Sequence, residues 1–167
     1  MSGPDDEPQS EDCLHLNIYR PKSTNSSTQK LPVLIHVHGG AFNFGYANDR
    51  EISSLVGWSK EPLIGVTFEY RVGALGFLPS KLMAEEGALN LGLKDQRLLF
   101  EWVKKHISGF GGDPENVTLM GPSAGAHSVS FLIVVISTCS IINKLSKYKR
   151  PMIVDSNDHT DRPSLNE

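Results

Sequence analysis

Residues 14–20 (Leu-His-Leu-Asn-Ile-Tyr-Arg) alternate apolar and polar side chains. A period of two predicts a strand with one buried face. Pro21 ends it, and the polar run 22–30 predicts an exposed loop. Residues 31–37 and 63–70 are apolar and rich in β-branched side chains, which predicts two buried strands. His38-Gly39-Gly40-Ala41-Phe42 follows the first of these directly. Two adjacent glycines after a strand predict a tight backbone loop. Gly73, Gly76 and Pro79 predict a second loop. A helical period runs over 91–108, where Leu91, Leu98, Leu99, Trp102, Val103 and Ile107 alternate with charged positions. Gly109, Gly111 and Gly112 stop it. Val117–Met120 predicts a short strand that runs straight into Gly121-Pro122-Ser123-Ala124-Gly125, with a helix starting at Ala124.

Strands that alternate with helices in this order predict an α/β protein with a mainly parallel sheet and flanking helices. The chain has 167 residues, enough for one modest domain. The net charge is -3 and the basic residues are scattered, apart from Lys144 to Arg150, so nothing marks a nucleic-acid binder. Residues 131–142 form an apolar run. It falls short of the roughly 20 residues a membrane span needs, and a buried helix explains it. Residues 1–12 are acidic and Pro-containing; they predict a disordered segment without the apolar core of a signal peptide. Cys13 and Cys139 have no metal-ligand spacing and read as two free thiols, with a bridge between them left open. Asn25 and Asn116 head glycosylation sequons, which matter only in a secreted chain.

The chemistry centres on Gly121-x-Ser123-x-Gly125. A serine on a sharp strand-to-helix turn adopts a strained backbone, and side chains two positions either side would collide. Glycine at both places removes that clash. The hydroxyl then stands at a helix N-terminus, where negative charge is favoured. Ester hydrolysis passes through a tetrahedral oxyanion, and a lost donor to it costs about 3 kcal/mol. A Gly-rich loop after an earlier strand supplies such backbone donors. His38-Gly39-Gly40-Ala41 has the required place in the order. His36 and His38 read as core and loop-packing residues, with no metal site around them.

These residues resemble the type-B carboxylesterases, the family that includes the cholinesterases. The resemblance begins at Ser10-Glu11-Asp12-Cys13-Leu14 and continues through His38-Gly39-Gly40-Ala41-Phe42. It takes in Tyr70-Arg71-Val72-Gly73-Ala74-Leu75-Gly76-Phe77, Asn90-Leu91-Gly92-Leu93-Lys94-Asp95-Gln96-Arg97, Phe110-Gly111-Gly112-Asp113-Pro114 and the serine turn. It covers about residues 8 to 132, in the family's order. The resemblance implies a partial α/β-hydrolase fold and hydrolysis of small-molecule carboxylic esters through an acyl-serine. It implies Ser123 as nucleophile, Gly40, Ala41 and Ala124 as oxyanion donors, and no cofactor or metal. On this reading residues 13–132 are the N-terminal part of the esterase domain and 133–167 a divergent tail, the product of an altered reading frame or an unspliced intron.

Two departures from the family pattern stand out. Pro122 occupies the place where the family usually has Glu, which removes a charge beside the nucleophile. The family's catalytic acid and histidine lie far beyond the nucleophile, so the resemblance implies that this chain lacks both. His127 reads as a helix residue and His159, beside Asp158 and Asp161, as part of a polar tail. Two readings follow: an incomplete serine esterase, or a catalytically inactive family member with at most a binding role. A dinucleotide-binding domain is excluded, because no G-x-G-x-x-G lies between an early strand and a helix.

Overall fold

The computed structural model describes residues 10–22 and 30–138. The readings placed on residues 1–9, 23–29 and 139–167, with Cys139, Lys144 to Arg150 and His159 among them, lie outside the described residues.

Four strands form one sheet: β1 (Leu16–Tyr19), β2 (Leu31–His36), β3 (Ile64–Phe68) and β4 (Gly112–Met120). Their order across the sheet is β1-β3-β2-β4. β2 runs parallel to both β3 and β4, and β1 is antiparallel to β3. β3, apolar apart from Thr67, is buried at every position, as a strand covered on both faces requires. The shorter β1 is half-buried.

The helices are α1 (Ile52–Trp58), α2 (Gly73–Phe77), α3 (Lys81–Glu85), α4 (Leu91–His106) and α5 (Ala124–Thr138), with a 3-10 turn at Ile107–Phe110. α1 buries only Ile52 and Val56, one turn apart, and these two press on β3 at Gly65. Any side chain at Gly65 would meet the Ile52 methyl at 2.6 Å, so glycine sets the depth of this packing. The core joins Val33, Ile35 and Val37 of the β2 stretch to Ile64, Val66 and Phe68 of β3, Leu99 and Val103 of α4, and Val129 of α5. Burying these side chains removes roughly 1.5–3 kcal/mol each of unfavourable apolar hydration.

Three sequence expectations are corrected. The glycine-containing stretch after Tyr70, expected as a loop, forms the single-turn helix α2. β4 begins at Gly112 rather than Val117, because its register jumps: Leu31 pairs with Gly112, but Val33 pairs with Val117. Residues 113–116 are accommodated as a bulge, which hides the strand from a period-two reading. On α4 the buried face is Gly92, Asp95, Gln96, Leu99 and Val103, whereas Leu98 is exposed. Two polar residues occupy that face because each has a long-range partner, described below. Among the described residues, no helix is long and apolar enough to cross a membrane.

Candidate active site

Parallel neighbours end on the same side of a sheet, so β2 and β4 deliver their following turns side by side. One further bond closes the junction: Val37 N–H donates to the Met120 carbonyl at 2.8 Å, just past the last pair of the ladder, His36 with Met120. The glycine-rich loop after β2 and the serine turn after β4 therefore leave the sheet together, at the carboxyl edge where open α/β sheets place their ligands.

Ser123 is exposed and takes φ 49°, in the left-handed region. For a residue with a Cβ this costs roughly 1–2 kcal/mol. The first turn of α5 holds it there. The Pro122 carbonyl accepts from the N–H groups of Gly125 (2.8 Å) and Ala126 (3.3 Å), and the Ser123 carbonyl accepts from His127 N–H (3.1 Å). The flanking glycines are needed for a reason beyond the collision expected from sequence. A Cβ at Gly125 would lie 2.1 Å from the Val37 carbonyl oxygen and 2.9 Å from that of His38; one at Gly121 would lie 2.5 Å from the Val37 oxygen. The nearest obstacle is thus the backbone of β2 and its loop. The approach of Gly121 to the Gly125 backbone, 2.9 Å, comes second.

The loop touches the serine turn at Gly39, where a Cβ would stand 3.1 Å from the Pro122 carbonyl oxygen and 3.4 Å from Ser123 Cβ. Three successive residues then have positive φ: Gly40 (107°), Ala41 (53°) and Phe42 (62°). Gly40 allows the Phe44 carbonyl to approach to 2.0 Å of where a Cβ would be. The loop closes on itself, with Asn43 N–H (2.9 Å) and Phe44 N–H (3.2 Å) both donating to the Gly40 carbonyl. It is tied to α2 by Gly73 N–H, which donates to the Phe42 carbonyl at 2.6 Å, and by the Phe42 and Phe77 rings, 5.0 Å apart. Among the described residues, nothing accepts a hydrogen bond from the N–H of Gly40, Ala41 or Ala124.

Support comes from residues that sequence reading did not single out. Tyr70 Oη–H donates to the His38 carbonyl at 2.8 Å. Burial foremost, then the charges of Asp49 and Glu69, pushes its hydroxyl pKa up, so the donor stays protonated. The next residue, Arg71, makes three bonds to Asp95: from Nε (2.7 Å), Nη2 (2.7 Å) and its backbone N–H (3.1 Å). The Asp95 bond holds the guanidinium pKa above its usual value. Fully buried Gln96 donates from Nε2 to Ser128 Oγ at 3.1 Å, linking α4 to the nucleophile helix α5. The sequence signal for these partners was their place in the Tyr70-Arg71 and Asp95-Gln96 blocks.

His36 and His38 are both buried, as expected for core and loop packing. Burial pushes the His36 pKa down, with Asp49 opposing and His38 and Arg50 adding to the effect. His127 is exposed on α5, and Cys13 is exposed and unbridged. Among the described residues, no imidazole or carboxylate hydrogen-bonds Ser123 Oγ, and no group of three or more His, Cys, Asp or Glu is placed to hold a metal ion.

Comparison with known proteins agrees with this geometry. The sequence model of the carboxylesterase family matches residues 1–145. "Secreted lipase 4" of Gibberella zeae is 54% identical over 123 residues, 74% of this chain and 22% of that lipase. "Para-nitrobenzyl esterase" of Bacillus subtilis is 38% identical over 136 residues, 81% of this chain and 27% of that protein. The chain thus spans about a quarter of the length of the curated relatives it matches. A solved PNB esterase superposes with TM-score 0.67 at 40% identity, covering 80% of this chain and 28% of its own. The structure of Aspergillus niger EstA gives 0.66 at 44%, covering 73% and 23%. The mainly parallel sheet with its flanking helices is therefore part of an α/β-hydrolase fold, and the chain belongs to the carboxylesterase family.

Proposed function

We propose that this chain supplies the nucleophile and the oxyanion loop of a serine carboxylic ester hydrolase. The observation that carries the reading is the exposed, left-handed Ser123 in contact with a loop whose Gly40 and Ala41 N–H groups have no acceptor among the described residues. Ser123 Oγ attacks the ester carbonyl carbon. The negative charge that develops on the carbonyl oxygen is held by the N–H groups of Gly40, Ala41 and Ala124. The C–O bond to the alcohol breaks, leaving an acyl-serine, and water attacks the same carbonyl to release the acid. A base must take the Oγ proton and return it to the leaving alcohol. On this reading the base and its orienting acid lie in the three-quarters of the relatives' length that this chain does not match. The substrates are small-molecule carboxylic esters, the class to which the relatives' names point. Pro122 puts no charge beside the serine, which disfavours selection for cationic esters.

One observation favours a second reading, a catalytically inactive chain with at most a binding role: no described side chain is bonded to Ser123 Oγ. Labelling with a fluorophosphonate, read by intact mass beside a Ser123→Ala control, separates the two. An adduct that requires Ser123 is expected from an activated nucleophile. Because the first reading places the base outside this chain, imidazole is added as an external base; a folded chain that takes no adduct even then sinks the first reading and leaves the second.

A further inference from the structure

His38 opens the glycine loop and is buried to 1% exposure. Its Nδ1 lies 2.9 Å from the carbonyl oxygen of Gly39. A carbonyl only accepts, so this is a hydrogen bond only if Nδ1 carries the proton. In the neutral ring Nε2 is then bare. Nε2 is buried and meets no partner among the described residues, and an orphaned N–H there would cost more than an unused lone pair. Tyr70 holds both ends of this residue. Its ring stacks on the imidazole with centroids 4.0 Å apart at 15°, while its hydroxyl takes the His38 carbonyl. Gly45 seals the contact. A Cβ there would stand 2.4 Å from Nδ1 and 2.5 Å from the Gly39 oxygen, so the backbone of Gly45 packs closely against the bond.

In a trans peptide the C=O and the following N–H point opposite ways. Fixing the Gly39 carbonyl on the imidazole turns the Gly40 N–H away from it, to the side where no described residue accepts from it. We propose that His38 is a positioning residue. Its Nδ1–H pins the Gly39–Gly40 peptide in the orientation that offers the Gly40 N–H to the developing oxyanion. The role in catalysis rests on the reading of Ser123 and the loop given above; the pin itself does not. Without it, two glycines in succession would let this peptide turn over at little steric cost.

Isotope-labelled full chain tests this by nitrogen NMR of the His38 ring, the carbonyl signal of Gly39 and the phosphonylation rate of Ser123. The His38 ring is expected in the Nδ1–H form. His38→Leu should shift the Gly39 carbonyl signal and slow phosphonylation about 10²-fold, as for a lost oxyanion donor. His38→Asn, whose side-chain N–H falls near the place of Nδ1, should restore most of both. Tyr70→Phe should weaken both while keeping the imidazole. A wild-type ring protonated at Nε2, or a Gly39 signal indifferent to His38→Leu, overturns the proposal. Wild-type chain that takes no phosphonate even with added imidazole as external base overturns the nucleophile reading instead, and the ring and carbonyl signals still decide the pin. Should His38→Leu not fold, the wild-type tautomer and the Gly39 signal in His38→Asn decide it alone.

Discussion

At the end of β4 a single non-glycine residue, Ser123, takes positive φ, with glycine two positions to either side. At the end of β2 three residues in succession do so, and two of them, Ala41 and Phe42, carry side chains. The serine turn is held by backbone: the first bonds of α5, within four residues of it, and the close approach of the Val37 and His38 carbonyls. The loop is held by side chains from far along the chain. Tyr70, 32 positions on, takes the His38 carbonyl, and Asp95 fixes Arg71 beside it. One kind of strain is stabilised by backbone contacts and the other by side-chain contacts. The first tolerates little change in its own letters. The second depends on residues from separate blocks of the sequence that only the fold brings together.

The largest effect should come from breaking the backbone support. Gly125→Val places a side chain where 2.1 Å separates it from the Val37 oxygen. We expect a loss of about 3 kcal/mol in denaturant unfolding, and no phosphonylation of Ser123. Breaking the side-chain support comes next. Arg71→Ala leaves the Asp95 carboxylate buried without its cation. A buried pair broken on one side costs roughly 3–5 kcal/mol, but the guanidinium is about a third exposed, so about 2 kcal/mol is expected. The loop's fluorescence or NMR signals should respond before those of the serine turn.

A pH series sharpens the comparison on the β2 side. The folded pKa of His36 lies below its ordinary 6.5, so the unfolded chain takes up the proton first as pH falls. Its contribution is whole above pH 6.5 and is lost as pH falls from there through the lowered folded value. The slope is at most about 1.4 kcal/mol per pH unit. Unfolding curves of wild type and His36→Leu at pH 7, 6 and 5 should diverge in that window, and parallel curves would refute the assignment. The smallest effect reads the strain itself. Ser123→Gly should be more stable than Ser123→Ala by about 0.5–1 kcal/mol, because glycine accepts φ 49° freely but loses more chain entropy. Equal midpoints would mean that the turn carries no strain at this residue.

Most of the sheet was legible. β1, β2 and β3 lie within two residues of their expected limits, because alternation at Leu16–Tyr19 and mostly apolar, β-branched runs at Leu31–His36 and Ile64–Phe68 are local signals. α1 was not legible, since Ser53, Ser54 and Gly57 surround two buried residues with weak helix formers. α2 escaped because its two glycines read as loop: Gly73 takes φ 57°, and Gly76 lets the Arg71 carbonyl approach to 2.1 Å of where its Cβ would be. At the site, the positions of Ser123 and its glycines followed from their spacing and context. The pairing of His38 with Tyr70, and of Gln96 with Ser128, did not. Each joins residues 32 positions apart, and only the fold brings them together.

The register of β2 with β4 sets when this site comes into being. Val33 lies opposite Val117, 84 positions later (117 − 33), whereas it lies opposite Ile64 within its own half of the chain. Such a closure has a large entropic cost before any contact offsets it. On a ribosome adding 5–20 residues per second, the loop after β2 would wait on the order of ten seconds for its partner strand. Through that interval Gly39 and Gly40 would be present without Ser123 to face them, so the oxyanion loop and the nucleophile meet only once β4 has docked on β2.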